Sequence, residues 1–389
     1  MELLCAKRNK LLACGAAALL LFACDQAPIF DMISREVTPR EPRIKGVPTK
    51  MVLFNRSNSV TPEWGMYVAD SSLHRYATNS SGKAVWDEGD IPQPPGKIFD
   101  LAATDTFLYA LVNVDSPDLY RLGQGSSSWD KVGFASDNQG YSRFQAIYGD
   151  CDAEGKPVSS NLYVGARNNS SGGYAVFHTT GGDLTLLVSG TGLLTGAAAD
   201  GTNHYFSTEG DGVYLSSGSP VSGTSGLKIT GMINTSTEII ALCGNGDLYT
   251  ISGGTATGKG NAGINLSGAA AVWTDGTYTL LVAATSSISS TNSTYGYREL
   301  VLSSGALPAT VTMKVPGTAP STVDDNKRYL DTIEPKPVNA IFQAPKDVDP
   351  DDTTLFASVQ GRGTAEDNTD GGLWSYRSRS GVYQWNAEE

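Results

Sequence analysis

A short apolar segment of one type recurs seven times along the chain, and no other feature constrains the fold as much. Each copy places aliphatic and aromatic residues between clusters of Gly, Ser, Asn and Asp, as in residues 118–122 and 247–251. The other copies span residues 72–76, 173–177, 212–216, 297–301 and 372–376. Because no convincing helical periodicity follows residue 51, the chain is predicted to be all-β.

Each copy is preceded by two further apolar runs and followed by a fourth. The earliest run of each repeat favours small residues, as in residues 102–103, 197–199 and 268–271. In a β-propeller the first strand of each blade lines the central channel, and close packing where the blades converge selects Ala and Gly. A period of about 48 residues is typical of propeller blades. We therefore predict a seven-bladed β-propeller of four-stranded antiparallel blades over residues 51–389; the alternative is a β-sandwich or a pair of β domains.

One stretch of this repeat is similar to a known family. The run GMYVADSSLHRY at residues 65–76 resembles one copy of the repeat in NHL-type propellers. The runs NLYV at 161–164 and LYAL at 108–111 look like blade strands of related propeller families. The resemblance implies a propeller architecture, and no binding residue is carried over from it.

The N-terminus resembles a bacterial lipoprotein signal peptide. A basic segment with Lys7, Arg8 and Lys10 precedes an apolar stretch over residues 11–23, which ends at Cys24. That stretch is shorter than the roughly 20 residues that a transmembrane helix needs. The resemblance implies removal of residues 1–23, attachment of lipid, including palmitate, to Cys24, and a mature protein held to a membrane by that lipid. The alternative is an ordinary secretory signal with a chance cysteine.

This interpretation sets the expected domain boundaries and location. Residues 24–50 are predicted to be the lipidated N-terminus and a flexible tether, and the propeller follows it. The expected location is the bacterial cell envelope, anchored to a membrane on its periplasmic or surface face. The net charge of the chain is −12, which argues against nucleic acid as a partner.

Two cysteines outside the N-terminal region are predicted to be free thiols. Cys151 falls after the first strand of blade 3, whereas Cys243 ends the second strand of blade 5 near the opposite face. A disulfide requires Cα atoms within roughly 7 Å of each other, which this placement does not allow.

The sequence contains no recognisable catalytic constellation. Its three histidines, His74, His178 and His204, are interpreted as strand residues with satisfied rings. Neither a His-Glu-x-x-His nor a Gly-x-Ser-x-Gly motif occurs, so no catalytic residue, metal or cofactor is predicted. The alternative is a propeller hydrolase or glycan-binding protein that uses carboxylates at the channel mouth. The candidate carboxylates are Asp100, Asp105 and Asp200.

The longest loops of one propeller face are predicted to form a partner-binding face. These loops span residues 285–296, 316–337 and 361–371 in blades 6 and 7. Functional residues often lie on loops held by a rigid scaffold, and aromatic and Arg side chains are common anchors. The predicted binding residues are Tyr295, Tyr297, Lys327, Arg328, Tyr329, Arg362, Glu366, Asp367 and Asp370. The predicted function is a monomeric, membrane-anchored scaffold for an envelope protein partner.

Overall fold

The computed structural model describes Ile44 and residues 46–87, 91–136, 138–274, 278–286, 296–316, 336–350, 354–360, 371–379 and 382–388. These residues belong to one compact unit, Ile44–Glu388. They contain 26 strands and no helix.

The strands form seven antiparallel sheets, each built from consecutive strands. Blades 1 to 3 contain β1 (Met51–Asn55), β2 (Trp64–Ala69), β3 (Leu73–Thr78), β4 (Ala84–Trp86), β5 (Ile98–Ala103), β6 (Phe107–Val112), β7 (Asp118–Gly123), β8 (Asp130–Lys131), β9 (Tyr141–Cys151), β10 (Pro157–Asn168), β11 (Tyr174–Thr179) and β12 (Thr185–Thr191). Blades 4 and 5 contain β13 (Leu194–Ala199), β14 (His204–Thr208), β15 (Gly212–Leu215), β16 (Ile229–Asn234), β17 (Ile239–Cys243), β18 (Asp247–Ser252) and β19 (Thr255–Asn261). Blades 6 and 7 contain β20 (Leu266–Thr274), β21 (Thr279–Thr285), β22 (Tyr297–Val301), β23 (Val338–Gln343), β24 (Leu355–Val359), β25 (Gly372–Arg379) and β26 (Val382–Ala387).

The first strands of the blades contact one another in a closed ring, in the order β1, β5, β9, β13, β16, β20, β23 and back to β1. The seven recurring sequence segments are the third strands of the seven sheets. The prediction of a seven-bladed propeller is therefore confirmed. In blades 4 and 6 the fourth position is reduced to isolated bridges, Tyr214 to Pro220 and Glu299 to Lys314. Pro220 has no amide hydrogen, so its backbone can pair with a neighbouring strand only through its carbonyl oxygen.

The burial pattern explains why the second strands have such apolar sequences. β6, β17 and β24 are buried on nearly all residues of both faces, because neighbouring blades pack against each side of a blade. The hydrophobic clusters therefore extend from one blade into the next. One cluster, for example, joins Tyr109 and Leu119 of blade 2 to Phe144 and Val164 of blade 3.

The small residues lie at the axis, as the sequence predicted. Ala102, Ala197 and Ala271 line the central cavity. A Cβ atom at Gly149 would lie 2.0 Å from the Ala103 carbonyl oxygen, and one at Gly231 would lie 2.3 Å from the Gly268 carbonyl oxygen. First strands of adjacent blades thus approach so closely that side chains at these positions would collide with the neighbouring backbone.

Blades 7 and 1 meet where the ring closes, and neither sheet contains a strand from the other, because each is built only from consecutive strands. We call this junction the seam. Trp86 Nε1 donates a hydrogen bond to Glu388 Oε2 (2.9 Å), and Arg377 pairs with Glu388 Oε1 (2.8 Å). The Tyr76 hydroxyl donates to Asp349 Oδ2 (3.0 Å). Ile44 packs into the apolar part of the seam.

Candidate functional site

The central channel contains a cavity of about 610 Å³. First strands of all seven blades contribute to its lining, which includes small residues such as Ala102 and Gly231 and larger apolar residues such as Leu101, Ile147 and Phe342. Sites for small molecules commonly have volumes of about 300–1,000 Å³. The channel is therefore the strongest candidate for a functional site in the described part of the chain.

A long hairpin crosses one end of the channel. Its strands, β9 and β10, have 11 and 12 residues, and its tip spans residues 152–156. We call the face of the propeller that carries this tip, and the other connections between first and second strands, the hairpin face. Lys156 Nζ lies 2.5 Å from Asp347 Oδ2 in blade 7, and Gly155 packs against the Phe342 ring of the same blade. Because blades 3 and 7 lie across the ring from each other, the tip covers this end of the channel.

The opposite face carries the connections between blades, including residues 46–50, and we call it the mouth face. Near this face the first strands of blades 2 to 5 and 7 share a β-bulge at one residue. In blade 6 the irregularity extends over residues 267–269. The bulge residues are Phe99, Gln145, Thr195, Thr230 and Asn339, with Ser267 at the start of the blade 6 irregularity. The described pairing of blade 1 has no such bulge, and Thr49, which lies two residues before β1, is included because it lines the cavity.

Five of these positions line the cavity, and all five are neutral and polar. We call this set, Thr49, Thr195, Thr230, Ser267 and Asn339, the mouth ring. Bulges are common at the rims of barrels, where they change the direction of a side chain. The repeated bulge therefore places hydroxyl and amide groups around the entrance of the channel.

A buried ion pair lies beside the mouth ring. Lys50 Nζ contacts Asp100 Oδ2 at 2.9 Å and the Tyr148 ring centroid at 3.4 Å, and it donates to the Ile147 carbonyl. The Ile147 amide in turn donates to Asp100 Oδ2 at 2.9 Å. Burial raises the pKa of Asp100, while Lys50 and the two backbone amides that donate to the carboxylate oppose that rise. The pair links the first three blades and leaves no unbalanced charge at this point.

A second polar cluster joins blades 3 and 4 on the hairpin face. The Asp150 carboxylate is fully buried, and its Oδ2 accepts hydrogen bonds from His204 Nδ1 (2.7 Å), Ser159 Oγ (2.7 Å) and Asn161 Nδ2 (3.0 Å). His178 Nε2 donates to Asn161 Oδ1 at 2.9 Å. Burial raises the pKa of Asp150, and its three donors oppose the rise. The sequence analysis missed this cluster, because its members come from two blades and carry no shared motif.

His178 gives the cluster a pH dependence with a defined sign. Burial, and then the nearby His204, lower its pKa below the usual value of about 6.5. Because the folded state favours neutral His178, its contribution to stability is present above about pH 6.5 and is lost as the pH falls through the lowered folded pKa. We expect His178→Gln to reduce the loss of unfolding free energy between pH 7.5 and 5.0, measured by urea denaturation. His74→Gln in blade 1 is the matched control, and an unchanged pH dependence in His178→Gln would contradict this assignment.

The predicted lipid attachment residue and eight of the nine predicted binding residues lie outside the described residues. These are Cys24, Tyr295, Lys327, Arg328, Tyr329, Arg362, Glu366, Asp367 and Asp370. Tyr297 is described, and it differs from the expectation of an exposed loop residue. It begins β22, is only 2% exposed, and its ring packs against Trp385 at a centroid distance of 6.1 Å.

The structure does not bring the three proposed mouth carboxylates together. Asp100 is buried in its pair with Lys50, whereas Asp105 and Asp200 lie in turns of the hairpin face, in blades 2 and 4. Asp200 accepts hydrogen bonds from Tyr205 and from the Asn203 amide, and these hold its pKa below the usual range. Asp100, Asp105 and Asp200, which the alternative hypothesis assigned to the channel mouth, therefore do not form one group.

Cys151 and Cys243 are free thiols, in agreement with the prediction. Cys151 is the last residue of β9 and Cys243 is the last residue of β17. Burial raises the pKa of each thiol to about 12, so both remain protonated at neutral pH.

The described part of the chain contains no group of three or more His, Cys, Asp or Glu side chains that could hold a metal ion. Within the same residues there is no helix with the length and hydrophobicity needed to cross a membrane.

No protein-family model and no curated protein matches this chain. Similar solved structures include the computationally designed Ika8 protein, with 10% identity, coverage of 89% of this chain and 88% of that one, and a TM-score of 0.47. BBS1N in complex with ARL6DN has 13% identity, coverage of 85% and 92%, and a TM-score of 0.47. The WD40 β-propeller domain of Doa1 has 8% identity, coverage of 87% and 95%, and a TM-score of 0.48. These similarities concern the path of the chain, and none of them carries a function over to this protein.

Proposed function

We propose that this protein is an envelope lipoprotein, anchored through Cys24, whose propeller is a rigid platform for a protein partner. The basic and apolar N-terminal pattern supports the anchor, and the closed seven-bladed ring supports the platform. Rigid scaffolds that hold surface loops are a common way to build recognition sites.

The observation that carries the platform proposal is the use of buried carboxylates between blades. Asp100 bonds to Lys50 and to the Ile147 amide, and Asp150 bonds to His204 of the next blade. Asp349 and Glu388 of blade 7 likewise bond to the Tyr76 hydroxyl and the Trp86 indole of blade 1. Each contact joins neighbouring blades, so the described ionisable groups at these positions serve to hold the ring rather than to bind substrate.

The partner-binding face in this proposal remains the loops of blades 6 and 7 that the sequence predicts. Arg328, Tyr329 and Arg362 are the side chains we expect to contribute most, because Arg and aromatic residues dominate binding energy at many protein interfaces. Tyr297 is not part of this set, since its ring is buried against Trp385.

The anchor is tested by metabolic labelling of the full chain in bacterial cells with a palmitate analogue. The wild-type chain is expected to incorporate the label and to sediment with membranes, whereas Cys24→Ser is expected to lose both properties. Cys151→Ser is the matched control and should be labelled like the wild type, because Cys151 is a partly buried thiol of the propeller. Equal labelling of Cys24→Ser and the wild type would contradict the anchor.

The platform is tested in the same cells by crosslinking followed by identification of the captured proteins. A chain in which residues 361–371 are replaced by a short turn is expected to lose a defined subset of the envelope proteins that the wild type captures. A chain carrying Thr257→Val on the outer strand β19 is the control. Capture of the same partners by all three chains would contradict this binding face.

A further inference from the structure

The mouth ring has a chemical character that the protein-binding proposal does not use. Thr49, Ser267 and Asn339 are exposed at the entrance, and Thr195 and Thr230 are partly exposed. Thr49 Oγ1 donates to the Phe99 carbonyl (3.0 Å) and Thr230 Oγ1 donates to the Leu242 carbonyl (3.2 Å). A hydroxyl that donates once still has lone pairs to accept a further hydrogen bond. The ring therefore offers acceptors, together with the donor and acceptor groups of Ser267 and Asn339, on several sides of one opening.

The charged side chains that line the cavity already have hydrogen-bond partners within the protein. Lys50 is held by Asp100, by the Ile147 carbonyl and by the Tyr148 ring. At the far end Asp152 Oδ1 accepts the amides of Glu154 and Lys156, both at 2.9 Å, and the Glu154 carboxylate contacts Lys156 Nζ at 2.9 Å. A charged ligand would lose its hydration in this cavity without gaining an opposite charge, which is costly.

The bulge recurs in several blades, so the placement of the ring residues does not depend on one blade. It recurs in blades 2 to 5 and 7 at the residue that follows the first buried apolar residue of each first strand, for example at Thr195 after Leu194 and at Thr230 after Ile229. A bulge adds one residue that is left out of the backbone pairing with the second strand, and in blades 4, 5 and 7 that residue lines the cavity. The residue after the bulge is small in several blades, as at Gly196, Gly231 and Ala340, and this leaves room at the entrance.

We infer that the mouth ring and the cavity beneath it form a binding site for a short neutral saccharide. The cavity volume of about 610 Å³ lies within the range of small-molecule sites. An apolar ligand would displace water from the remaining lone pairs and donors of the ring without replacing those hydrogen bonds, which costs free energy. An extended peptide presents its backbone groups along two opposite edges, whereas a sugar presents hydroxyls around its periphery, which suits an arc of polar groups from five consecutive blades, 4 to 7 and 1. Entry is from the mouth face, because the tip of the β9–β10 hairpin covers the other end.

The test is calorimetric titration of the full chain with neutral monosaccharides and disaccharides, including glucose, N-acetylglucosamine, maltose, cellobiose and diacetylchitobiose. We expect saturable binding of at least one of them with a dissociation constant of about 10 mM or lower. Thr230→Val and Ser267→Ala should each weaken that binding by about three- to tenfold, as expected for the loss of one hydrogen bond. If Thr230→Val does not fold, Ser267→Ala still tests the site, because it removes only an exposed hydroxyl.

Thr257→Val is the matched control, because it makes the same substitution on the exposed outer strand β19 of the same blade. It should bind the saccharide like the wild type, and circular dichroism should confirm that all variants are folded. The inference is overturned if none of the saccharides binds saturably, or if folded ring variants bind as tightly as the wild type. It is also overturned if citrate, spermidine or an uncharged extended peptide binds at the ring in place of the sugars. Each of these results is independent of whether a protein partner binds the loops of blades 6 and 7.

Discussion

Replacement of Glu388 by alanine is expected to lower the free energy of unfolding by about 3 kcal/mol, which is the typical cost of removing one partner of a buried charge pair. The Glu388 carboxylate is 4% exposed and accepts hydrogen bonds from Trp86 Nε1 and from the Ser375 hydroxyl, besides its pair with Arg377. Its loss removes the acceptor of the Trp86 indole N–H and the only carboxylate that the described contacts give to the partly buried Arg377, which keeps its hydrogen bond to the Tyr76 hydroxyl (2.9 Å). The effect is large because the seam contains no shared strand, so these side-chain contacts and the apolar cluster around Phe356 hold blade 7 to blade 1.

Urea denaturation followed by tryptophan fluorescence measures this change through the transition midpoint. Glu209→Ala is the matched control, since Glu209 is exposed in the turn between β14 and β15. The loss of its side chain should change the unfolding free energy by less than about 0.5 kcal/mol. Equal midpoints for Glu388→Ala and Glu209→Ala would mean that the seam does not depend on this carboxylate.

Alanine at Gly149 or at Gly231 is expected to destabilise the protein by about 2 kcal/mol or more, which is the range for overpacking a tight interior. The added Cβ atoms would lie 2.0 and 2.3 Å from backbone carbonyl oxygens of the neighbouring first strands, at Ala103 and Gly268. A backbone carbonyl cannot rotate away as a flexible side chain can. The two strands must therefore separate, and the contacts between the adjoining blades are lost with them.

Gly182→Ala is the control for this pair of variants. A Cβ atom at Gly182 meets nothing within 4 Å, so the unfolding free energy should stay within about 0.5 kcal/mol of the wild type. Urea midpoints of the three purified variants give the comparison. If Gly149→Ala and Gly231→Ala unfold at the same urea concentration as Gly182→Ala, the first strands do not approach one another as closely as the structure indicates.

The architecture could be predicted from the sequence because it repeats. A single strand pattern is ambiguous, but seven third strands, each preceded by two apolar runs, the first of which is rich in small residues in several repeats, are consistent with few folds. Small residues such as Ala102 and Ala197 marked the axis, because packing near the centre of a propeller excludes large side chains. The fourth strands were less predictable, since outer strands are short and their pairing is reduced to bridges in blades 4 and 6.

The mouth ring could not be recognised in the same way, because a bulge is defined by the register of two strands. Thr195, Thr230 and Asn339 look like ordinary polar residues at the start of a strand until their pairing with the second strand is known. Asp100 was noticed as a carboxylate near the channel, but its partner Lys50 fell in the predicted tether. One sequence pattern could have indicated the mouth ring: a polar residue followed by a small residue near the start of several first strands.

The most direct test of the account is a crystal structure of the chain, because the central claim is that seven sheets converge through their small-residue strands. We expect seven sheets around one axis, with Ala102, Ala197 and Ala271 facing the channel and Glu388 bonded to Trp86 across the junction of the last and first blades. A different number of sheets, or these alanines at the outer edge of the molecule, would contradict the account.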